Sequence, residues 1–174
     1  MPTRYEVLPI PALMAHTELF AAGPIQLGVE YRLLNEQIIE AEFGQDARAK
    51  FGKNVPADMQ SNVDEDGISI HVFDRTGGQE FLRFDCFADY PHYHYIENDV
   101  GHQTVHQYDE PAHGPMLEWV VDCLRQRLPA MLDQAGEGKL ANEIDPHSME
   151  KILPDVVLAI ERARKAGRPV VAAR

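Results

Sequence analysis

The sequence predicts an α+β fold, an antiparallel β-meander or small barrel of five or six strands followed by two or three C-terminal helices. Three observations carry this expectation. From Ile25 to Tyr108 apolar residues recur mainly at every second position, whereas from Pro115 onward they recur with a period near 3.6. The change falls at Gly114-Pro115, a pair suited to opening a helix. With 174 residues the chain can fill one core and not two independent ones. Residues 1–174 are therefore expected to form a single domain, with an extended proline-rich arm (1–24), a sheet (25–110) and helices (115–167).

The opening residues contain Pro2, Pro9 and Pro11 and run into Gly23-Pro24, which favours an extended arm over a helix. Ile25, Leu27, Val29, Tyr31 and Leu33 then alternate with Gln26, Gly28, Glu30 and Arg32, a strand with one buried and one wet face. Asn35-Glu36 can turn the chain. Ile39, Ala41 and Phe43 alternate with Glu40 and Glu42 as a return strand, with a short helix as the alternative. Residues 44–67, which include Gly44, Gly52, Pro56 and the run Asp64-Glu65-Asp66-Gly67, lack a sustained period and read as a long connection with one helical turn near 46–50.

The strongest hairpin signal is ISIHVFD (68–74), a turn at Thr76-Gly77-Gly78, and EFLRFDCF (80–87). Pro91 ends that strand's extension, and HYHYI (92–96) and HQTVHQY (102–108) complete the meander. Leu117, Val120, Val121, Leu124, Leu128 and Met131 form one helical stripe, with Pro129 expected to kink it and Gly136 to close it. Asp145-Pro146 opens a second helical region that Pro154-Asp155 is expected to break and restart. Val156, Ile160 and Ala163 should face inward, and Arg162, Arg164 and Lys165 before Gly167 suit its end.

Hydrophobic residues make up 44% and charged residues 25%, which excludes wholesale disorder and fibrous folds. The formal charge of −12 repels nucleic acid and anionic membrane surfaces. That charge is local: residues 61–114 carry 11 acidic and 2 basic side chains, against 8 and 5 in 1–60 and 9 and 9 in 115–174. His71, His92, His94, His102, His106 and His113 lie in the same acidic stretch, which is where titrating or metal-binding chemistry is expected. Imidazoles held beside carboxylates should have raised pKa values. No run approaches the roughly 18 apolar residues of a membrane span, and the amino terminus lacks a signal peptide's apolar core, so a cytoplasmic location is expected. Cys86 and Cys123, far apart and outside any CxxC, read as small buried hydrophobes.

Residues 83–96, RFDCFADYPHYHYI, are the most unusual. On a strand His92 and His94 share one face, about 7 Å apart, and Tyr93 and Tyr95 share the other. His102 and His106 also share a face, and Asp85, Asp89, Glu97 and Asp99 supply carboxylates nearby. Two histidines and one carboxylate with open positions suit non-haem Fe(II); His92, His94, His106 and Asp99 are the candidate ligands, with packed, metal-free rings as the alternative. The segment from Asp109 to Pro115 joins sheet to helix, where loops often line a pocket. Tyr93, Tyr95, His113 and Trp119 are candidate pocket or partner contacts. There is no P-loop, no GxGxxG after a strand, no HExxH, no GxSxG and no four-ligand zinc pattern.

The HxH pair resembles the cupin metal motif in part, although Glu97 follows His94 too closely and GHQTVHQYDEP departs from the second cupin motif. A cupin-like sheet is the implied form. GISIHVFDRTGGQEFLRFDCFADYPHYHYI followed by LEWVVDCLRQRLPAML, within residues 67–136, resembles an uncharacterised bacterial domain family. The size, acidic middle and sheet-then-helix order are also similar to the small subunit of two-subunit hydroquinone 1,2-dioxygenases, which cleave aromatic rings with Fe(II). That resemblance implies an accessory subunit whose Fe(II) is bound by a larger catalytic partner acting on a small aromatic substrate, so it transfers no ligand to this chain. The open alternatives are a self-sufficient cupin-like metalloprotein, alone or as a homo-oligomer, and a non-enzymatic binding or regulatory domain with structural histidines.

Overall fold

The structure, a computed structural model, describes residues 1–46 and 64–167. Its strands are β1 (Thr3–Tyr5), β2 (Thr17–Ala22), β3 (Ile25–Leu34), β4 (Glu65–Asp74), β5 (Glu80–Phe87), β6 (His92–Glu97) and β7 (His102–Gln107). A 3-10 turn spans Met14–His16. The α-helices are α1 (Glu36–Phe43), α2 (Glu110–His113), α3 (Met116–Gln126), α4 (Leu128–Gln134), α5 (Gly138–Glu143) and α6 (Pro146–Ala166).

The strands form one antiparallel sheet in the order β1-β7-β6-β5-β4-β3-β2. From β3 to β7 each strand pairs with the next in sequence, the expected meander, and the helices follow it. The barrel form is not adopted: β1 and β2 lie at opposite edges and do not pair, so the sheet stays open.

Several local expectations are corrected. The arm is extended in β1 and β2 but interrupted by the 3-10 turn at Met14–His16, and its last part is a sheet strand: Thr17–Ala22 pairs with β3 through a tight turn, Ala22 facing Ile25 and Gly23 taking φ 59°. The expected return strand at 39–43 is the alternative helix, α1: the Asn35 side chain caps it by accepting from the Ile38 amide at 2.9 Å, and Ile38 and Ile39 form its buried side against Ile10, Leu13, Leu33 and Leu34. β4 starts at Glu65, so part of the acidic run pairs with β3. The turn expected near 46–50 falls, beyond Asp46, outside the described residues.

Pro129 does not kink a continuous helix; it sits in the first turn of α4, and the break comes at Arg127. Pro154 breaks nothing, since α6 runs through it. Packing of Met149, Leu153, Val156 and Ile160 on both sides of the proline holds the helix together.

The two faces of the sheet differ. On one, Ile25, Leu27, Ile70, Leu82 and Phe84 meet Val120, Leu124, Leu128, Leu153 and Val156 in the main core. Each large side chain buried there contributes roughly 1.5–3 kcal/mol. Cys86 and Cys123 pack at this core as free thiols, and burial pushes both thiols up. The other face carries Glu30, Arg32, Ser69, His71, Arg83, Asp85, His92, His94 and Gln103, all buried. An entire polar face removed from water is expensive unless every group is paired, and its pairing defines the candidate site. Among the described residues no helix is long and apolar enough to cross a membrane.

Candidate metal centre

Strand alternation and register assemble the centre. Leu82, Phe84 and Cys86 face the helices, which turns Arg83 and Asp85 to the polar face. Across the β5–β6 ladder Asp85 stands opposite His92, and Arg83 opposite His94. Across β4–β5, Asp85 stands opposite Ser69. Asp85 Oδ2 lies 2.9 Å from His94 Nε2 and 3.3 Å from His92 Nε2.

The outer nitrogens are committed elsewhere. His92 Nδ1 is 2.7 Å from the Tyr90 carbonyl oxygen, which can only accept, so this nitrogen donates. His94 Nδ1 is 2.8 Å from Gln103 Oε1 and donates likewise. The Ser69 hydroxyl donates to Asp85 Oδ1 in a short hydrogen bond, leaving Oδ2 to the two imidazoles. With Nδ1 donating, each ring turns Nε2 toward the same carboxylate oxygen. Asp85 Oδ2 and the two Nε2 atoms lie within 4.8 Å of one another, an arrangement that a cation between them, either a proton or a metal ion, would hold. Metal–ligand bonds of about 2.1 Å at right angles separate their ligands by about 3.0 Å, close to the two Nε2–Oδ2 spacings here.

The shifts at Asp85 and His92 run in the direction that metal ligation needs. Burial pushes the Asp85 carboxyl up, but the His94 hydrogen bond and the nearby His92, His94 and Arg83 charges outweigh it and hold the group well below the ordinary carboxylate range. Burial lowers the His92 pKa, which favours the neutral, metal-binding ring. His106 is also lowered by burial. The expectation of raised histidines holds for His71, where paired carboxylates overcome burial.

A second polar chain runs beside the centre. Arg32 Nε donates to Glu65 at 2.8 Å, and Arg32 Nη1 lies 3.3 Å from Glu30 Oε2. Glu30 Oε2 accepts from His71 Nε2 at 2.8 Å, His71 Nδ1 donates to Glu80 Oε1 at 2.6 Å, and Glu80 receives Arg83 through Nε at 2.8 Å and Nη2 at 2.6 Å. Alternating charge across β3, β4 and β5 fixes their polar side chains, and Arg83 ends the chain in front of Asp85.

His92 and His94 are brought together as the sequence suggested. The other two candidate ligands are not with them. His106 lies on the opposite face, stacked on Tyr93 with ring centroids 4.9 Å apart, because it stands opposite Tyr93 rather than His92. Asp99 is exposed in the β6–β7 turn. Asp85 completes the cluster instead; its alternation in phase with Arg83 was the available signal, but the Asp85–His92 register was not visible in the sequence.

Tyr93, Tyr95, His113 and Trp119 also sit away from this centre. Trp119 contacts Tyr93 and Tyr108, at centroid distances of 5.1 and 4.9 Å, and His113 contacts Tyr108 at 6.0 Å. Tyr95 packs against Tyr93 and His106, and burial pushes its hydroxyl up to about 12. The sheet-to-helix junction does border a cleft of about 440 Å³, lined by residues including Tyr31, Asp66, Phe87, Glu110 and Met116, but none of the four aromatic candidates lines it.

No curated protein and no solved structure matches the chain. A family model described as a domain of unknown function, DUF7700, matches residues 19–160, a span that contains Asp85, His92, His94, Ser69, Gln103 and the whole charge chain from Glu30 to Arg83. The expected likeness to an uncharacterised domain family is met on this coarser level: the chain belongs to the DUF7700 family.

Proposed function

We propose that the protein binds one divalent transition-metal ion through Asp85 Oδ2, His92 Nε2 and His94 Nε2. One observation carries this reading: both imidazoles donate through Nδ1 to fixed acceptors and turn Nε2 toward the same carboxylate oxygen. Two histidines and one carboxylate on a rigid sheet leave coordination positions open, the ligand set suited to non-haem Fe(II). When bound, iron would supply redox and Lewis-acid chemistry. The chain's own part is to hold the ligands: Ser69 restricts Asp85 to one free oxygen, and Tyr90 and Gln103 fix the ring orientations.

A second reading keeps the chain as an accessory subunit of an Fe(II) ring-cleaving dioxygenase, with the iron in a larger partner. It is favoured by the half-exposed Tyr93, His106 and Trp119, which lie toward β6 and β7, while α3, α4 and α6 pack mainly over β2 to β5.

Metal analysis of protein purified without oxygen and supplied with Fe(II), Mn(II) or Zn(II) separates these readings. About one ion per chain in the wild type, lost in Asp85→Ala and in His94→Ala while circular dichroism is retained, is the expected result. A folded wild type that retains none of the three ions overturns the metal reading and leaves a proton-bridged structural cluster, compatible with an accessory role.

A further inference from the structure

β1 and β2 stand at opposite edges of the seven-stranded sheet but are joined only by residues 6–16. Tyr5 is paired with Gln103 at the β7 edge. The carbonyls of Ile10 and Pro11 accept from Arg32 Nη2 and Nη1 at 3.1 and 3.2 Å, and the Leu13 amide donates to Glu30 Oε1 at 3.3 Å. Glu30 and Arg32 lie on β3 and point to the polar face.

Chain length fixes the path between these points. From β1 to β3 there are five strand spacings and a level difference of about six residues, which in a flat sheet would separate the two points by about 31 Å. The five residues from Tyr5 to Ile10 extend at most about 18 Å, so even with the reach of the Arg32 side chain the open sheet must curl toward its polar face to bring the two ends of the segment within range. No detour around an edge fits, so the segment crosses the polar face almost directly. Its starting point is level with Ile96 and Gln103, and its end is level with Gly67 and Phe87. The diagonal between those levels passes over β6, β5 and β4 at the height of His94, His92 and Asp85. Exposure agrees with a single extended layer: Val7 and Pro9 are half-buried, whereas Glu6 and Leu8 face water.

The attachment is uneven. At the β3 end the arm is held by Arg32 and Glu30, and Ile10 and Leu13 pack with Leu33, Leu34, Ile38 and Ile39. At the other end the three residues of β1 pair with the sheet edge, and the exposed Arg4 reaches Glu97 at 3.3 Å and His102 at 2.9 Å, contacts open to solvent. Short edge pairing opens at far lower cost than the central ladders.

We propose that residues 6–9 are a strap over the Asp85–His92–His94 centre and that detachment of β1 opens the route by which the metal ion enters and leaves. The metal part rests on the function proposed above; the strap part rests on the path of the chain alone.

Thr3 and Val105 face each other directly across β1 and β7, so Thr3→Cys with Val105→Cys allows a disulfide that pins the strap, with the reduced form as its own control. Two rates are measured. One is loss of bound Fe(II) or Zn(II) to excess chelator. The other is modification of His92 and His94 by diethylpyrocarbonate in the metal-free protein, read by mass spectrometry with the exposed His113 and His147, away from β1, as references. In the oxidised form both rates are expected to fall by about tenfold or more and to recover on reduction, while His113 and His147 are modified at unchanged rates. Slowed modification in a protein that binds no metal upholds the strap and removes the metal reading. Equal rates in the oxidised and reduced forms, with metal bound, overturn the strap and leave the metal reading standing.

Discussion

Glu30 Oε2 and His71 Nε2 face each other at 2.8 Å across β3 and β4, both side chains sealed from solvent. His71 Nδ1 meets Glu80 at 2.6 Å, so both ring nitrogens face carboxylates and the ring is held as an imidazolium. Burial pulls its pKa down, but the Glu80 charge and the hydrogen bonds to Glu30 and Glu80 overcome that, and the net displacement is upward. The sign follows from linkage: this contribution is complete below the unfolded histidine value near pH 6.5 and is lost as pH rises through the higher folded value. Melting temperature should therefore decline on the alkaline side of about pH 6.5, and His71→Gln should flatten that decline. A wild-type profile level from about pH 6.5 to 9 would show that the pair does not couple protonation to folding.

Arg83 is buried and doubly bonded to Glu80. Removing only the cation leaves a buried carboxylate short of a partner, so Arg83→Met should cost about 3–5 kcal/mol in chemical denaturation. Adding Glu80→Leu should recover part of that loss. A double variant no more stable than the single would count against this explanation.

Gln103 touches the proposed metal site only through His94 Nδ1. Gln103→Leu removes that acceptor and should weaken metal binding by about 10- to 100-fold. Calorimetric titration provides the measurement, with thermal stability as the check on folding. Unchanged affinity would mean that His94 needs no support from Gln103.

Pro154 lies inside α6 and is exposed, so its ring deprives the Glu150 carbonyl of its helical donor without filling the core. Pro154→Ala should raise stability by roughly 1–3 kcal/mol. A destabilised variant would show that the proline's stiffness outweighs its missing hydrogen bond.

The strands from β3 to β7 were legible because each alternates cleanly and turn residues separate them. Thr17–Ala22 was missed because TELFAA has no sustained alternation; it is a strand because the β3 edge offers it a ladder. Ile39, Ala41 and Phe43 fitted a strand pattern as well as a short helix, and the Asn35 cap with Ile38 and Ile39 packed on one side decided for the helix. Pro154 was taken for a break, yet packing along α6 outweighs the cost of one hydrogen bond.

Of the candidate site, the sequence placed His92 and His94 on one face because side-chain direction in a strand depends only on parity. It also located the acidic, histidine-rich stretch. It did not single out Asp85 over Asp99 as the third member, because choosing a carboxylate requires the pairing register between strands. Nor did it show that Arg32, Glu30, His71, Glu80 and Arg83 form one chain, since these contacts cross three strands. Local patterning determined the elements and their faces. The tertiary structure decided which residues of different strands share a site, because only register and chain path bring distant side chains together.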